Sequence, residues 1–180
     1  ILIEIPKPKE FWATVSIQSL EARHMFRRGP VATLGLGLQD EPHRLDFKEA
    51  AMAHVFITGQ TRSGKTNTQQ LIAWNLLRNG CQLLIFDTAK MGHTWQAFEG
   101  TDGLLHPVVA SIPEAEATLV YLATEINRRA NNSNHEPIFI VIDELKALLT
   151  DAGEQAKASL SRVAALGGEF GLHLILATQY

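Results

Sequence analysis

The sequence has a single cysteine and no long apolar run, and these shortages exclude several classes of protein. Cys81 is the single cysteine among 180 residues, so the chain can hold neither an internal disulfide nor a cluster of cysteine ligands, which fits a reducing compartment. It contains no run of about 18 apolar residues and no signal peptide. We therefore expect no membrane contact within this segment and a cytoplasmic location, with any membrane anchor lying outside it.

An excess of charge is also missing. The chain carries 16 basic and 19 acidic residues, a net charge of −3, so it has no global attraction to nucleic acid and any contact with a polyanion must be local. The seven histidines show no paired metal-ligand spacing. With 46% hydrophobic residues, the chain can bury one substantial core.

The strongest motif that is present runs from Gly59 to Thr66, with the letters GQTRSGKT. Two glycines, a lysine and a threonine stand at the spacing of a loop that wraps the phosphates of a nucleotide. The apolar segment 54–58 before it favours a strand, and the segment 67–78 after it favours a helix. The motif therefore lies between a strand and a helix, as phosphate binding requires.

Each part of this loop has a predicted role. Gly59 and Gly64 permit backbone conformations closed to residues with a Cβ, so the N–H groups from about residue 63 to 66 can point at phosphate oxygens, aided by the helix dipole. Lys65 would reach the β- and γ-phosphates, and the Thr66 hydroxyl would bind Mg²⁺, the one metal we expect. The predicted nucleotide-binding residues are Gly59, Gln60, Thr61, Arg62, Ser63, Gly64, Lys65, Thr66 and Asn67.

Strands and helices alternate along the rest of the chain. After the helix at about 65–78, buried strands are predicted at 82–87, 138–144 and 172–178, with a possible short strand at 108–109 in otherwise irregular sequence. A capping box from Ser111 to Glu114 starts one helix, and another begins at Asp151 and Glu154 and ends near 167–168. The residues expected on the buried helix faces are Leu119, Leu122, Ala123, Ile126, Ala156, Leu160, Val163 and Ala164. The fold class is α/β, with helices on both faces of a mostly parallel sheet.

Two further elements fall at the ends of predicted strands. Asp143 and Glu144 end a buried strand, at the sheet edge where parallel α/β folds bind ligands. Asp143 could hold Mg²⁺ and Glu144 could orient or deprotonate a water. On its own the pair would also fit a strand cap plus a surface acid, but the phosphate loop favours catalysis. Gln179 could sense the γ-phosphate from a neighbouring strand tip, although its position fits an ordinary loop residue equally well.

The phosphate loop, the strand at 138–144 and Gly171–Gln179 together resemble the motor domain of the FtsK/SpoIIIE family of DNA translocases. In that family a glycine-isoleucine-histidine strand ends in the same Ala-Thr-Gln. The likeness extends to Ile3–Pro6 and to the paired arginines at 128–129. It implies a three-layer RecA-like P-loop ATPase that uses ATP and Mg²⁺ and forms a hexameric ring around duplex DNA. Lys65, Glu144 and Gln179 would then be catalytic, and Thr66 and Asp143 would hold the metal.

The resemblance also implies a division of the chain. Residues 1–50 would form a small β-rich appendage, with a helix over 17–28 and strands at 31–38 and 43–47 pairing across a turn. Residues 51–180 would form the motor core. We expect its C-terminal part, with the arginine that a neighbouring subunit would receive, to lie beyond Tyr180.

Several departures from the family pattern leave the substrate open. Leu166–Phe170 replaces a basic stretch, the segment 129–138 is short, and Thr88-Ala-Lys90 replaces proline-lysine. The candidate polymer-contacting cations are scattered: Arg62, Lys90, Arg128, Arg129, Lys146 and Arg162. A secreted polypeptide, as in type VII systems, is therefore the alternative to duplex DNA. A nucleotide-binding module with little turnover is the third hypothesis, which Glu144 argues against.

Overall fold

The computed structural model describes residues 16–23, 25–37, 39–49, 52–132 and 136–179. The similarity at Ile3–Pro6 and the residue Tyr180 lie outside these ranges. The first described elements are helix α1 (Ile17–Ala22) and strands β1 (Val31–Leu36) and β2 (Pro42–Asp46). β1 and β2 form an antiparallel pair, which confirms the predicted hairpin over its described residues.

The first helix is shorter than its predicted span of 17–28. Ser16 caps it with its side chain, but helical structure ends at Ala22. The carbonyl of Met25 accepts hydrogen bonds from Thr33 Oγ1 at 3.3 Å and Arg44 Nη2 at 2.8 Å. The hairpin thus binds a carbonyl that lies within the span predicted as helix, and the predicted extension to Arg28 was wrong.

The centre of the molecule is a sheet of four parallel strands. They are β3 (Val55–Thr58), β4 (Gln82–Phe86), β5 (Ile138–Ile142) and β6 (Leu172–Thr178), and their spatial order is β3-β6-β5-β4. The predicted parallel sheet is confirmed. The expected short strand near Val109 is reduced to an isolated bridge with Phe86.

Apolar side chains on both faces explain why the sheet is covered twice. Along β5, Phe139 and Val141 join one hydrophobic cluster, whereas Ile138, Ile140 and Ile142 join the other. This is the alternation that a strand imposes on consecutive side chains. A strand buried on both faces has to be apolar at nearly every position, and all five residues of β5 are buried.

Helices from different parts of the chain supply the two outer layers. They are α2 (Lys65–Arg78), α3 (Ile112–Ala130), α4 (Leu145–Asp151) and α5 (Glu154–Leu166). Helix α2 packs on the face that contains Phe139, and α3, α4 and α5 pack on the opposite face. A four-residue 3₁₀ turn over 167–170 leads from α5 into β6.

Three predicted details of these helices are wrong. Asp151 ends α4, which was not predicted, instead of starting α5, because Ala152 turns to extended backbone between the two helices. Ala164 is exposed, unlike the other residues assigned to the buried faces. Ser111 makes no side-chain cap; Glu114 Oε2 instead accepts from the Ala110 N–H at 3.2 Å.

The hairpin packs against α2 and the sheet. Asn75 Oδ1 accepts from the Thr33 N–H at 3.2 Å, and Asn79 Nδ2 donates to the Val31 carbonyl at 3.0 Å. The ring of Phe47 meets that of Phe139 edge-on, with centroids 4.8 Å apart. The hairpin therefore covers part of the face that α2 covers, and the domain division at residue 50 stays a prediction. Within the described residues, no helix is long and apolar enough to cross a membrane.

Candidate nucleotide site

The loop between β3 and α2 is shaped by two residues in the left-handed region of backbone space. Gly64 has φ +92° and Arg62 has φ +65°. Gly59 does not share this conformation, contrary to the prediction; a Cβ there would instead lie 2.6 Å from Ser63 Oγ. Gly64 precedes α2 and cannot cap it with a side chain, so the first N–H groups of the helix remain available to an anion.

Lys65 folds back over the loop that it follows. Its Nζ donates to the carbonyls of Gly59 and Gln60, both at 2.9 Å. These two bonds hold an ammonium group beside the N-terminal end of α2, where the helix dipole is positive. Both features favour an anionic ligand at this end of the loop.

Thr66 and Asp143 meet although they are 77 residues apart in the sequence. Thr66 Oγ1 donates to Asp143 Oδ1 at 2.7 Å. Asp143 follows the end of β5 and is 3% exposed. The strand register therefore brings this predicted site residue opposite the phosphate loop.

A hydroxyl and a carboxylate oxygen are the kind of ligands that Mg²⁺ takes. Such sites commonly use one or two protein oxygens, with waters and substrate phosphates completing the coordination. The described residues contain no group of three or more His, Cys, Asp or Glu side chains that could hold a metal by themselves. Thr66 and Asp143 therefore fit a magnesium ion shared with a nucleotide.

Glu144 and Gln179 are joined directly. Glu144 Oε2 accepts from Gln179 Nε2 at 3.0 Å, and Glu144 Oε1 accepts from Thr178 Oγ1 at 3.1 Å and from the Gln179 N–H at 3.3 Å. Thr61 Oγ1 in turn donates to Gln179 Oε1 at 3.0 Å. The Gln179 amide thus links the phosphate loop to the carboxylate predicted as the base.

Two residues of this region were not predicted as part of the nucleotide site, although Lys90 was a candidate for contact with a polymer. Gln69, on α2, donates from Nε2 to the carbonyls of Ile142 at 2.9 Å and Ile175 at 3.0 Å, so it ties the helix to both central strands. Lys90 donates to Asp143 Oδ2 at 2.8 Å. A polar residue on a buried helix face was a usable signal for Gln69, whereas Lys90 had no local signal beyond its position after β4.

The charge state of Lys90 follows from its neighbours. Burial acts to lower the pKa of Lys90, but its hydrogen bond and charge attraction to Asp143, with smaller contributions from Asp87 and Glu144, outweigh burial and raise that pKa. The ammonium therefore remains charged beside the carboxylate at neutral pH.

These groups surround a cavity of about 290 Å³. Lys90 lines it together with predicted site residues. The predicted residues in the lining are Thr61, Arg62, Gly64, Lys65, Thr66, Asn67, Asp143, Glu144 and Gln179. Gly59, Gln60 and Ser63 shape the loop without lining the cavity, although Gly59 and Gln60 anchor Lys65 through their carbonyls.

A parallel sheet with a glycine-rich loop between a strand and a helix, and with acids at the tip of a strand that one other strand separates from the first, defines a P-loop ATPase fold. Solved structures agree. The conjugation coupling protein TcpA of pCW3, determined as a monomer with ATPγS, superposes with a TM-score of 0.69 at 22% identity, over 87% of this chain and 50% of that one. ATPases 2 and 3 of Thermomonospora curvata EccC, in complex with a signal sequence peptide, give 0.69 at 18% identity, over 84% and 29%.

The sequence comparison is more specific than the fold. The model of the FtsK/SpoIIIE family matches residues 17–135, and the chain belongs to this family. It is 27% identical to the DNA translocase FtsK of Treponema pallidum over 173 residues, 81% of this chain and 21% of that protein. It is 24% identical to FtsK of Staphylococcus epidermidis over 208 residues, 98% of this chain and 26% of that protein. The chain thus spans only about a fifth to a quarter of these relatives.

Proposed function

We propose that the cavity between the Gly59–Thr66 loop and the tips of β5 and β6 binds and hydrolyses ATP. The observation that carries this proposal is the joining of Thr66 to Asp143 and of Thr61 through Gln179 to Glu144. A loop that only bound phosphate would not require a carboxylate like that of Glu144, which is held by three hydrogen-bond donors at the end of β6. General-base catalysis does require one in a fixed position.

The chain's own residues would divide the work of hydrolysis. Lys65 and the first N–H groups of α2 bind the phosphates, and Thr66 and Asp143 hold Mg²⁺, which supplies positive charge for the phosphate oxygens. Glu144 accepts the proton of the attacking water. Gln179 donates to Glu144 through its Nε2 and accepts from Thr61 through its Oε1, so a change at the loop can reach the base through one side chain.

We further propose that hydrolysis drives duplex DNA through a ring, a homo-hexamer, in the cytoplasm. Membership of the FtsK/SpoIIIE family and the similarity to proteins named DNA translocase FtsK support this substrate. The neighbour TcpA, described as a conjugation coupling protein, is consistent with it.

Polypeptide secretion is the second candidate function, and it is favoured by the ion pairs that several of the candidate polymer-contacting cations make. Lys90 pairs with Asp143, and Arg128 and Arg129 pair with Glu125. Half of the candidate polymer-contacting cations are thus engaged in ion pairs within the molecule. The structural neighbour EccC was determined in complex with a signal sequence peptide, which is the kind of substrate this alternative requires.

Two substitutions test the site. Lys65→Ala should abolish nucleotide binding or hydrolysis. Glu144→Gln should retain ATP binding and lower turnover by about 100- to 10,000-fold, the usual contribution of a positioned base. Glu154→Gln is the matched control, because Glu154 is an exposed acid of α5 that pairs with Lys157. Equal turnover in wild type, Glu144→Gln and Glu154→Gln would refute the role of Glu144.

The polymer is tested separately, with the complete protein. ATPase activity stimulated by duplex DNA, with the stimulation falling steeply as salt rises, would support the DNA motor. Indifference to DNA combined with stimulation by a signal peptide would support secretion. The first test reads the turnover of a variant and the second reads the stimulation of wild-type turnover, so the role of Glu144 can fail while the substrate test still stands.

A further inference from the structure

Both oxygens of the Asp143 carboxylate are already engaged by the protein. Oδ1 accepts from the Thr66 hydroxyl at 2.7 Å, and Oδ2 accepts from Lys90 Nζ at 2.8 Å. The Asp143 side chain is 2% exposed and that of Lys90 is 51% exposed. The buried carboxylate of Asp143 is thus paired with the ammonium group of Lys90, which can move into solvent without any unfolding of the protein.

The backbone around Lys90 is built to present it there. Asp87, directly after β4, accepts from the Lys90 N–H through Oδ1 at 3.2 Å and from the Thr94 N–H through Oδ2 at 3.3 Å. The next residue, Met91, has φ +52°, a conformation that is costly for a side chain of this kind. β4 lies beside β5, and the Asp143 N–H donates to the Phe86 carbonyl at 3.1 Å.

We propose that Lys90 is the resident counter-ion of the magnesium site, which neutralises Asp143 when no nucleotide is bound and has to release it when Mg²⁺ and nucleotide bind. This inference rests on the nucleotide-binding part of the proposed function. An unpaired buried carboxylate is costly, so Asp143 needs a cation whenever Mg²⁺ is not bound to it. A divalent metal ion and an ammonium group cannot share one carboxylate without strong repulsion, so the two compete.

The competition has a functional consequence. Mg²⁺ with nucleotide meets an Asp143 carboxylate that burial has already desolvated, but it has to displace the ion pair between Asp143 and Lys90. Lys90 therefore raises the concentration of Mg²⁺ at which nucleotide binding is half-saturated. In the displaced position the Lys90 side chain is solvated, as its present half-exposure allows.

Three variants separate this role from others. Lys90→Met removes the charge and keeps an unbranched side chain, and Lys90→Arg keeps the charge. Lys157→Met is the matched control, because Lys157 pairs at 3.0 Å with Glu154, a carboxylate on the surface of α5 outside the cavity. Binding of a fluorescent ADP analogue is measured over a Mg²⁺ series for wild type and all three variants.

The expected result is a shift in the metal requirement alone. Lys90→Met should reach half-saturation at about three- to tenfold lower Mg²⁺ than wild type, the scale of removing one nearby charge from a partly buried pair. Lys90→Arg and Lys157→Met should match wild type, and affinity at saturating Mg²⁺ should stay within about twofold. An unchanged Mg²⁺ requirement together with a large loss of affinity at saturating Mg²⁺ would overturn the proposal and make Lys90 a phosphate ligand.

A second measurement needs no nucleotide. In EDTA, the thermal midpoint of Lys90→Met should fall below those of wild type and Lys157→Met, because Asp143 has lost its partner. Added Mg²⁺ should raise the midpoint of Lys90→Met more than that of wild type. Equal midpoints and equal responses would refute the counter-ion role. Failure of wild type to bind the ADP analogue at any Mg²⁺ concentration would instead count against the proposed function, and the thermal comparison would still decide the role of Lys90.

Discussion

Arg129 offers the sharpest test of how the fold is held together. It was one of the cations considered for contact with a polymer, but its side chain is 4% exposed. Its Nε donates to Glu125 Oε1 at 2.8 Å, and its Nη1 donates to the carbonyls of Glu136 and Phe170, both at 2.9 Å. Arg129 therefore ties the end of α3 to the residues that lead into β5 and β6.

We expect Arg129→Met to lower the free energy of unfolding by about 3 kcal/mol. Breaking a buried ion pair by removing one partner costs about 3 to 5 kcal/mol, and the lower end applies because Arg128 still pairs with Glu125. For a domain of this size, about 3 kcal/mol corresponds to a fall of about 6 to 12 °C in the melting temperature. The loss comes from uncompensated carbonyls and a weakened carboxylate pair, since Met nearly preserves the apolar stem.

The measurement is urea and thermal unfolding followed by circular dichroism, with Arg128→Met as the control. Arg128 pairs with the same carboxylate, but its side chain is 64% exposed, so its removal should cost much less. Equal losses for the two variants would refute the reasoning, because burial would then not distinguish them.

The same pair adds a dependence on pH. Hydrogen bonding from Arg128, opposed by burial and reinforced by Arg129, lowers the pKa of Glu125 from 4.5 to about 2. A carboxylate with a lowered pKa stabilises the fold fully above pH 4.5, and this contribution is lost as the pH falls toward 2. The difference in the free energy of unfolding between wild type and Arg129→Met should therefore narrow below pH 4.5. It should not vanish, since wild-type Arg129 keeps its bonds to the carbonyls of Glu136 and Phe170.

Two further substitutions test polar side chains that bond to distant parts of the backbone. Gln69→Leu should lower the free energy of unfolding in urea by about 2 to 4 kcal/mol, because it leaves the carbonyls of Ile142 and Ile175 without their amide donor. The control Gln70→Leu loses one bond to the Thr94 carbonyl and should cost clearly less. A larger loss for Gln70→Leu than for Gln69→Leu would contradict this assignment. His54 accepts from the Leu174 N–H through Nδ1 and donates to the Ala164 carbonyl through Nε2, and burial lowers the pKa values of both His54 and His173. The folded state therefore binds fewer protons than the unfolded state, and the free energy of unfolding should fall as the pH drops below about 6.5. His54→Asn keeps an acceptor for the Leu174 N–H, and its free energy of unfolding should fall less steeply between about pH 7.5 and 5.5. An unchanged slope would refute the role of His54.

The sequence predicted those features that local pattern determines. The segment 138–142 is apolar at every position and became a central strand, and the spacing of Leu119, Leu122 and Ile126 predicted the buried face of α3. The phosphate loop and Asp143 were found because their residue types and their positions at strand ends are fixed by their chemistry.

The sequence could not predict features that arise from contacts between distant segments. The Met25 carbonyl, within the span predicted as helix, accepts bonds from the hairpin, and no residue of the span 17–28 signals this contact. Helix α4 was missed because its seven residues directly follow Asp143 and Glu144, and no turn-forming residue separates these acids from the helix. Lys90 acquires its meaning from a carboxylate 53 residues away, so its position after β4 looked like a departure from a family pattern instead of a part of the site.

The order of strands in the sheet also bears on how the chain folds during synthesis. Among the described residues, β3 pairs only with β6, and the bond from His173 to the Ala53 carbonyl closes a loop of 120 residues. At translation rates of about 5 to 20 residues per second, β3 waits about 6 to 24 s for its neighbour to be made. Throughout that interval Val55 and Ile57, which pack against the hydrophobic cluster under α2 and the hairpin, lack their partner strand. The hairpin and α2 are complete well before β6, so they are the elements that can shield this strand from aggregation until the last strand arrives.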